Sequence, residues 1–297
     1  MTAEMFGFVI LHYMAFKMTC ECVDLLKKNF LDKNMHIVIV DNASKNGSGK
    51  KLLSRYKGCN KISVILNKEN EGFARGNNIG YEYLKYNFDC DYIIAINNDV
   101  MINDGLFCDK ISAIYSRNHF DVLGPDIFCP KGYRKHQNPF SLHNFSSLQN
   151  LENHYSKLKK NYAHFDFFFL KSVFSAKIKS IEIFKNVYRF AKYSILKKER
   201  VDYTREYINP VLHGSCLIFS KDFIKKREYA FYPKTFLYLE ENILQYEIMK
   251  SARENDKGRV VLLYSPEISV LHLEDVSTNQ VLKGNYEKTK FKLEKND

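Results

Sequence analysis

Tyr92-Ile93-Ile94-Ala95-Ile96 is an unbroken apolar run, and it stops abruptly at Asn97-Asn98-Asp99. A continuous apolar run of strand length predicts a strand covered on both faces, as in a parallel sheet enclosed by helices. In open α/β sheets, ligands bind beyond the carboxyl ends of the strands. A carboxylate there can hold a hard divalent cation, and the cation can hold phosphate oxygens. The same three residues would also make an ordinary polar turn. The choice between the two rests on the rest of the chain.

The first hundred residues alternate strand and helix. Strands are predicted over Phe6–His12, Met35–Val40, Ile62–Leu66 and Tyr92–Ile96, and helices over Lys17–Leu31, Gly49–Tyr56 and Phe73–Tyr86. This alternation indicates βαβ units and a mainly parallel sheet. After Asp99 the rhythm loosens. A helix is predicted over Gly105–Arg117 and a strand at Val122–Leu123. A polar loop, Pro125 to His143, then holds three of the six prolines. Strand patterns return at Val211–Phe219, Val260–Tyr264 and Val270–Leu273, with a helix over Glu240–Arg253 between them. Three parts follow: residues 1–104, residues 105–282 with a helical, basic insertion at 145–205, and a polar tail at 283–297.

Composition narrows the class. Hydrophobic residues make up 45% of the 297, enough for a full core, and with 13 Gly and 6 Pro the chain is not linker-rich. The seven cysteines form no Cys-x-x-Cys pair, so reduced, buried thiols are expected rather than a zinc site or a disulfide framework. No stretch approaches the ~20 apolar residues of a membrane span. The first strand starts at once with no basic leader, so a cytoplasmic location is expected.

Two further segments bear on chemistry. The second strand ends in Val40-Asp41-Asn42-Ala43-Ser44, followed by a Lys, Asn, Gly and Ser run. An acid at that point can accept hydrogen bonds from a base or ribose, and the Gly/Ser run lets backbone approach a ligand. An Asx-turn opening the next helix would use the same residues. The third strand leads into Asn70-Glu71-Gly72-Phe73-Ala74-Arg75-Gly76. Ala74 and Gly76, early in a helix, allow close approach of a ligand or of another strand. Arg75 can face a phosphate or stack on a base. No Gly-Lys-Ser/Thr follows at P-loop spacing.

Taken in order, the early strand Val9-Ile10-Leu11-His12-Tyr13, then VDNASKNGS, NKENEGFARGNNIG and INNDV resemble the nucleotide-sugar half of family 2 inverting glycosyltransferases. Those enzymes have the GT-A fold, and the likeness is strongest to the bacterial rhamnosyltransferase-like branch that builds surface polysaccharides. It covers roughly the first 105 residues. The resemblance implies an α/β GT-A fold with a mainly parallel sheet flanked by helices. It implies that Asp41 contacts the nucleotide base, and that Asn70, Gly72 and Arg75 shape and line its pocket. Asn97-Asn98-Asp99 stands where the family has D-x-D, so Asp99 would bind Mn²⁺ or Mg²⁺. Asn97 replaces the first acid, which usually faces the ribose.

Further along, His213-Gly214-Ser215-Cys216-Leu217-Ile218-Phe219 resembles a small-residue strand beside the donor sugar. Phe236-Leu237-Tyr238-Leu239-Glu240-Glu241 resembles the segment carrying the family's acidic pair, so Glu241 or Glu240 would be the catalytic base. Leu271-His272-Leu273, followed by Ser277, resembles a late strand whose His272 reaches the metal. The partners implied are a UDP- or dTDP-sugar donor and a lipid-linked glycan acceptor, with no nucleic acid, and the basic 145–205 block adds contact with a membrane surface or with a second copy of the chain as expectations of its own. Two rival classes are a sugar-phosphate nucleotidyltransferase and a non-catalytic protein that binds a membrane or nucleic acid. The first would want a basic, Gly-rich loop after the first strand, and His12-Tyr13-Met14-Ala15 offers none.

The net charge of +11 is concentrated: residues 150–205 hold 13 Lys/Arg against five acids. Aromatic residues recur there at helical spacing, so the block is expected either to lie on an anionic membrane surface or to pack as helices with a solvated Lys face. Replacing Lys185, Arg189 and Lys192 with Glu should release the protein from anionic vesicles in co-sedimentation. Equal binding to neutral and anionic vesicles would favour packing.

Overall fold

A computed structural model describes residues 3–130, 135–142, 147, 149–153, 156, 201–235, 239–255 and 261–273. The first half follows the predicted alternation to within a residue: β1 (Met5–His12), α1 (Phe16–Phe30), β2 (Asn34–Asp41), α2 (Ser48–Arg55), β3 (Ile62–Leu66), α3 (Gly72–Asn87) and β4 (Tyr92–Asn97). Then come β5 (Val100–Met101), α4 (Phe107–Asn118), β6 (Val122–Phe128), β7 (Tyr207–Ile208), β8 (Cys216–Ser220), α5 (Lys221–Lys226), α6 (Glu240–Asn255) and β9 (Leu262–His272).

These strands form one sheet in the order β3-β2-β1-β4-β8-β6-β9-β5, with β7 also on β9. Strands β1 to β4 are parallel, as expected, and so are β6 and β9. The remaining pairs are antiparallel: β8 with β4 and β6, and β5 and β7 with β9. The second half is therefore mixed, and its antiparallel neighbours do not each require a crossover helix.

Four predicted strands differ in extent, and the first, Val122–Leu123, continues as β6 to Phe128, into the predicted loop. Val211 makes only an isolated bridge to Ser141, and the regular strand begins at Cys216. The runs Val260–Tyr264 and Val270–Leu273 belong mainly to one strand, β9. It carries a register shift opposite Pro125/Asp126, where Ser265 and Ser269 are successive partners. Pro266 falls within that irregularity, where its missing N–H costs no ladder bond.

Both sheet faces are covered, which is why the strands read as continuous apolar runs. Phe6, Phe8, Ile10, Tyr92, Ile94 and Ile96 pack on one side with Val23, Leu26, Phe30 and Ile111. Val9, Ile93 and Ala95 pack on the other with Tyr81, Leu84, Phe219 and Leu244. Each Val, Leu, Ile or Phe among them contributes about 1.5–3 kcal/mol on full burial. Helix α3 lies close on the sheet through glycines. A Cβ at Gly76 would stand 2.5 Å from Leu11 Cδ1, and one at Gly80 would stand 2.5 Å from Val9 Cγ1. The small residue at 76 thus admits a strand rather than a ligand.

None of the seven cysteines forms a disulfide, and six are buried. No helix among the described residues is long and apolar enough to cross a membrane. The chain divides into two compact units, Met1–Ser146 with Arg205–Asp297, and Ser147–Thr204. In the second, Asn150 N–H donates to Ser147 Oγ, and Asp202 Oδ1 accepts from Thr204. Most of the basic block at 145–205, the residues Phe236-Leu237-Tyr238, Ser277 and the 283–297 tail lie outside the described residues.

Candidate active site

The carboxyl ends of β1, β2 and β4 lie side by side, because His12 is in register with Asp41 and Leu11 with Asn97. Each ends in a polar residue, and two of these, His12 and Asp41, are buried and must find partners away from water. His12 is fully buried. Its Nδ1 is 2.7 Å from Thr19 Oγ1, its Nε2 is 2.8 Å from Ser48 Oγ, and Asp41 Oδ1 is 3.8 Å away. Burial pulls its pKa down to about 4, against the pull of Asp41, so the ring is neutral at physiological pH.

Asp41, also buried, accepts from Ser44 N–H three residues on, and the Asx-turn that opens α2 is made instead by Asn46, whose Oδ1 accepts from Ser48 N–H. Helix α2 comes close because residue 49 is Gly: a Cβ there would stand 2.0 Å from Asp41 Oδ2. Asn42 ties this strand end to the start of α3. Its Nδ2 donates to Asn70 Oδ1 and Gly72 O, both at 3.0 Å. Its Oδ1 accepts from Asn67 Nδ2 and from Glu71 N–H at 2.9 Å. Asn70 Oδ1 also receives Gly72 N–H. Gly72 has φ 78°, the left-handed conformation that favours glycine. Asn70 and Gly72 therefore build the loop beside Asp41.

Beyond β4, the β5–β9 pairing sets Val100 opposite His272, and Leu273 N–H donates to Asp99 O. Asp99 Oδ1 and His272 Nε2 come within 3.2 Å, and both residues are buried. His272 Nδ1 lies 2.6 Å from Gln137 Oε1. With the amide oxygen assigned there, Nδ1 is the donor, and the Nε2 lone pair of a neutral ring faces the carboxylate. A proton or a cation must sit between two such acceptors. One oxygen and one imidazole nitrogen suit Mn²⁺ or Mg²⁺ whose other positions are filled by phosphate or water. Among the described residues, no group of three or more His, Cys, Asp or Glu could hold a metal by protein ligands alone.

The turn before β8 joins this pair to the acidic helix. Asn97 N–H donates to Ser215 O at 2.9 Å. The His213 ring lies 6.0 Å from that of His272, edge to face, and its Nδ1 accepts from Ser215 N–H. Gly214 N–H donates to Glu241 Oε1 at 3.1 Å, and a Cβ at 214 would stand 2.7 Å from that oxygen. Burial raises the Glu241 carboxyl above its ordinary 4.5, while its own N–H and that of Gly214 act to hold the charged form. The chain enters α6 through Leu239 at φ 72°, a strained conformation for a branched residue.

Asp99, His272, Asn97, Gly214 and Glu241 are thus linked through three residues, 213–215. Other predicted site residues point elsewhere. Asn98 turns inward, its Nδ2 donating to Thr19 Oγ1 at 3.0 Å. Glu240 is buried at the start of α6. Arg75 is exposed, pairs with Glu71 at 3.1 Å and donates to Pro233 O. Three residues with positioning contacts were not singled out from sequence: Asn42, Gln137 and His213. Asn42 and His213 sit inside quoted motifs, but Gln137 lies in a polar loop without any signal.

The model of glycosyl transferase family 2 matches residues 8–178, more than half the chain, and the chain belongs to that family. The match is to the family as a whole. No curated protein sequence matches. Among solved structures, the chain is similar to GalNAc-T7 with UDP, GalNAc and Mn²⁺ (14% identity, 92% of this chain and 44% of that one, TM-score 0.56). It is also similar to *S. aureus* TarS 1-349 (13%, 94% and 63%, 0.53). A third is the mannosyltransferase PcManGT from *Pyrobaculum calidifontis* with GDP-Man and Mn²⁺ (11%, 94% and 59%, 0.52). At these identities the likeness establishes the GT-A fold alone, and the chain spans less than two thirds of each neighbour's length.

Asn42→Ala should cost about 2–4 kcal/mol, because it strands the buried amide and carbonyl groups of the 67–72 loop. Urea unfolding, with hydrogen exchange at Glu71 and Gly72, measures it. A loss below about 0.5 kcal/mol, the range of ordinary surface changes, would remove Asn42 from this role.

Proposed function

We propose that this chain transfers a sugar, with inversion, from a UDP- or dTDP-linked donor to a glycan acceptor in surface polysaccharide assembly. The observation that carries this is the joining of the strand-end pair Asp99–His272 to the helix-borne Glu241 through the single turn 213–215. Neighbours solved with UDP or GDP-Man support a nucleoside-diphosphate donor.

Asp41 meets the nucleotide base beside the loop that Asn70 and Gly72 shape, and Asn97 borders the ribose side, while Asn98 braces the strand end from within through Thr19. Arg75 lines the rim. Its exposed pair with Glu71 is worth about 1 kcal/mol or less, so exchanging Glu71 for a phosphate is cheap. Asp99 and His272 hold the divalent metal, which when bound neutralises charge on the departing nucleoside diphosphate. Glu241, rather than the buried Glu240, accepts the proton of the acceptor hydroxyl as that oxygen attacks the anomeric carbon. The acceptor is lipid-linked, and the basic 145–205 block meets the cytoplasmic face of the membrane, as its charge excess supports.

Asp99→Asn should abolish the Mn²⁺-dependent thermal stabilisation by UDP or dTDP while leaving the ligand-free unfolding temperature close to wild type. Undiminished stabilisation in the mutant would take Asp99 out of the metal site.

Glu241→Gln should lose turnover by about 10²–10⁴-fold, the usual worth of a positioned base, yet still bind donor. Its carboxyl titrates higher folded than unfolded, so ionising it weakens folding at neutral pH. The Gln variant should therefore be more stable than wild type at pH 7, with the difference vanishing below about pH 4, where the carboxyl is protonated in both states. In wild type, kcat/KM should fall as pH drops through a value above 4.5. Full turnover in the Gln variant refutes the assignment.

A further inference from the structure

We propose that Gln137 is a positioning residue for the metal: it holds His272 in the tautomer and orientation that aim Nε2 at Asp99. This rests on the metal reading above and extends it to a residue 135 positions away in sequence.

Four observations carry it. Gln137 and His272 are both buried, each 6% exposed, so their 2.6 Å contact is shielded from water. The Gln137 backbone is fixed, because its N–H donates to Ile127 O at 2.9 Å. The next residue is fixed as well. Asn138 Nδ2 donates to Pro125 O, and Asn138 Oδ1 accepts from His213 N–H. On the far side of the imidazole, Nε2 faces Asp99 Oδ1 at 3.2 Å.

The chemistry follows from which atom Gln137 offers. An amide oxygen at Nδ1 requires the ring proton there and leaves Nε2 as a ligand atom. An amide NH₂ would require the reverse and turn His272 into a donor to Asp99, unable to bind a cation through Nε2. A neutral amide also fixes the tautomer without adding a third charge beside Asp99. An acceptor oxygen at Nδ1 is thus what lets a two-residue site work. Loss of such an outer partner typically costs 10–100-fold in metal affinity.

The test titrates Mn²⁺ alone into the full chain, with free ion read by electron paramagnetic resonance, and needs no turnover. Gln137→Leu should bind Mn²⁺ 10–100-fold more weakly than wild type. Gln137→Glu, an obligate acceptor, should bind at least as tightly as wild type. Equal affinity of the Leu variant and wild type overturns the proposal, and so does a Glu variant as weak as the Leu variant, which would mark the amide as packing. Failure of wild type itself to bind Mn²⁺ refutes the metal reading and the proposal with it. A second measurement separates the two. The ¹⁵N spectrum of metal-free wild type should show His272 Nδ1 protonated, with or without a second proton facing Asp99. An unprotonated Nδ1 overturns the proposal whatever the metal does.

Discussion

The site depends on a change of strand direction at β4. On one side β4 runs parallel to β1, so its carboxyl end joins the other strand ends where Asp41 stands. On the other side it runs antiparallel to β8, with Ile96 opposite Cys216. An antiparallel neighbour brings its beginning to the end of its partner, so the turn 213–215 must lie beside Asn97. The antiparallel β5–β9 pairing does the same for His272 and Asp99. In a wholly parallel sheet, the His213–Ser215 turn would lie at the opposite edge. Ligand sites in open α/β sheets gather at such strand ends.

Polar residues at the ends of buried strands are costly unless satisfied. The chain meets that demand with short-range partners that also define shape: Thr19 and Ser48 for His12, the 67–72 loop for Asn42, Gln137 for His272. Glu241 is the exception in sign. Desolvation opposes its charge while the N–H of Gly214 supports it. The balance leaves a carboxyl whose affinity for a proton is above normal, which is what the proposed general-base role would call for.

How much could be read in advance follows from what each signal encodes. Strands β1 to β4 were legible because burial on both faces imposes unbroken apolar runs, and a polar residue ends each of β1, β2 and β4 at one edge. Asp41 and Asp99 stood out for that reason. Pairing in the second half was not legible, because local periodicity does not say that β8 enters antiparallel or that β9 continues through Pro266. Arg75 was expected at a phosphate, yet the i, i+4 spacing on α3 also offers it Glu71. Gln137 was invisible, since an isolated amide in a loop acquires meaning only from the imidazole it meets.

The unpaired thiols beneath this edge have a consequence of their own. Cys22 Sγ lies 3.4 Å from Val100 O, and Cys216 begins the strand that faces Ile96. Burial raises both thiols well above the ordinary range, and Cys90 and Cys108 are pushed up to about 12. A thiol kept protonated and out of water is chemically silent until the protein opens. Cys22 and Cys216 are therefore built-in timers. The rate at which an alkylating reagent reaches them reports how often the floor of the site breathes, residue by residue and without any added label.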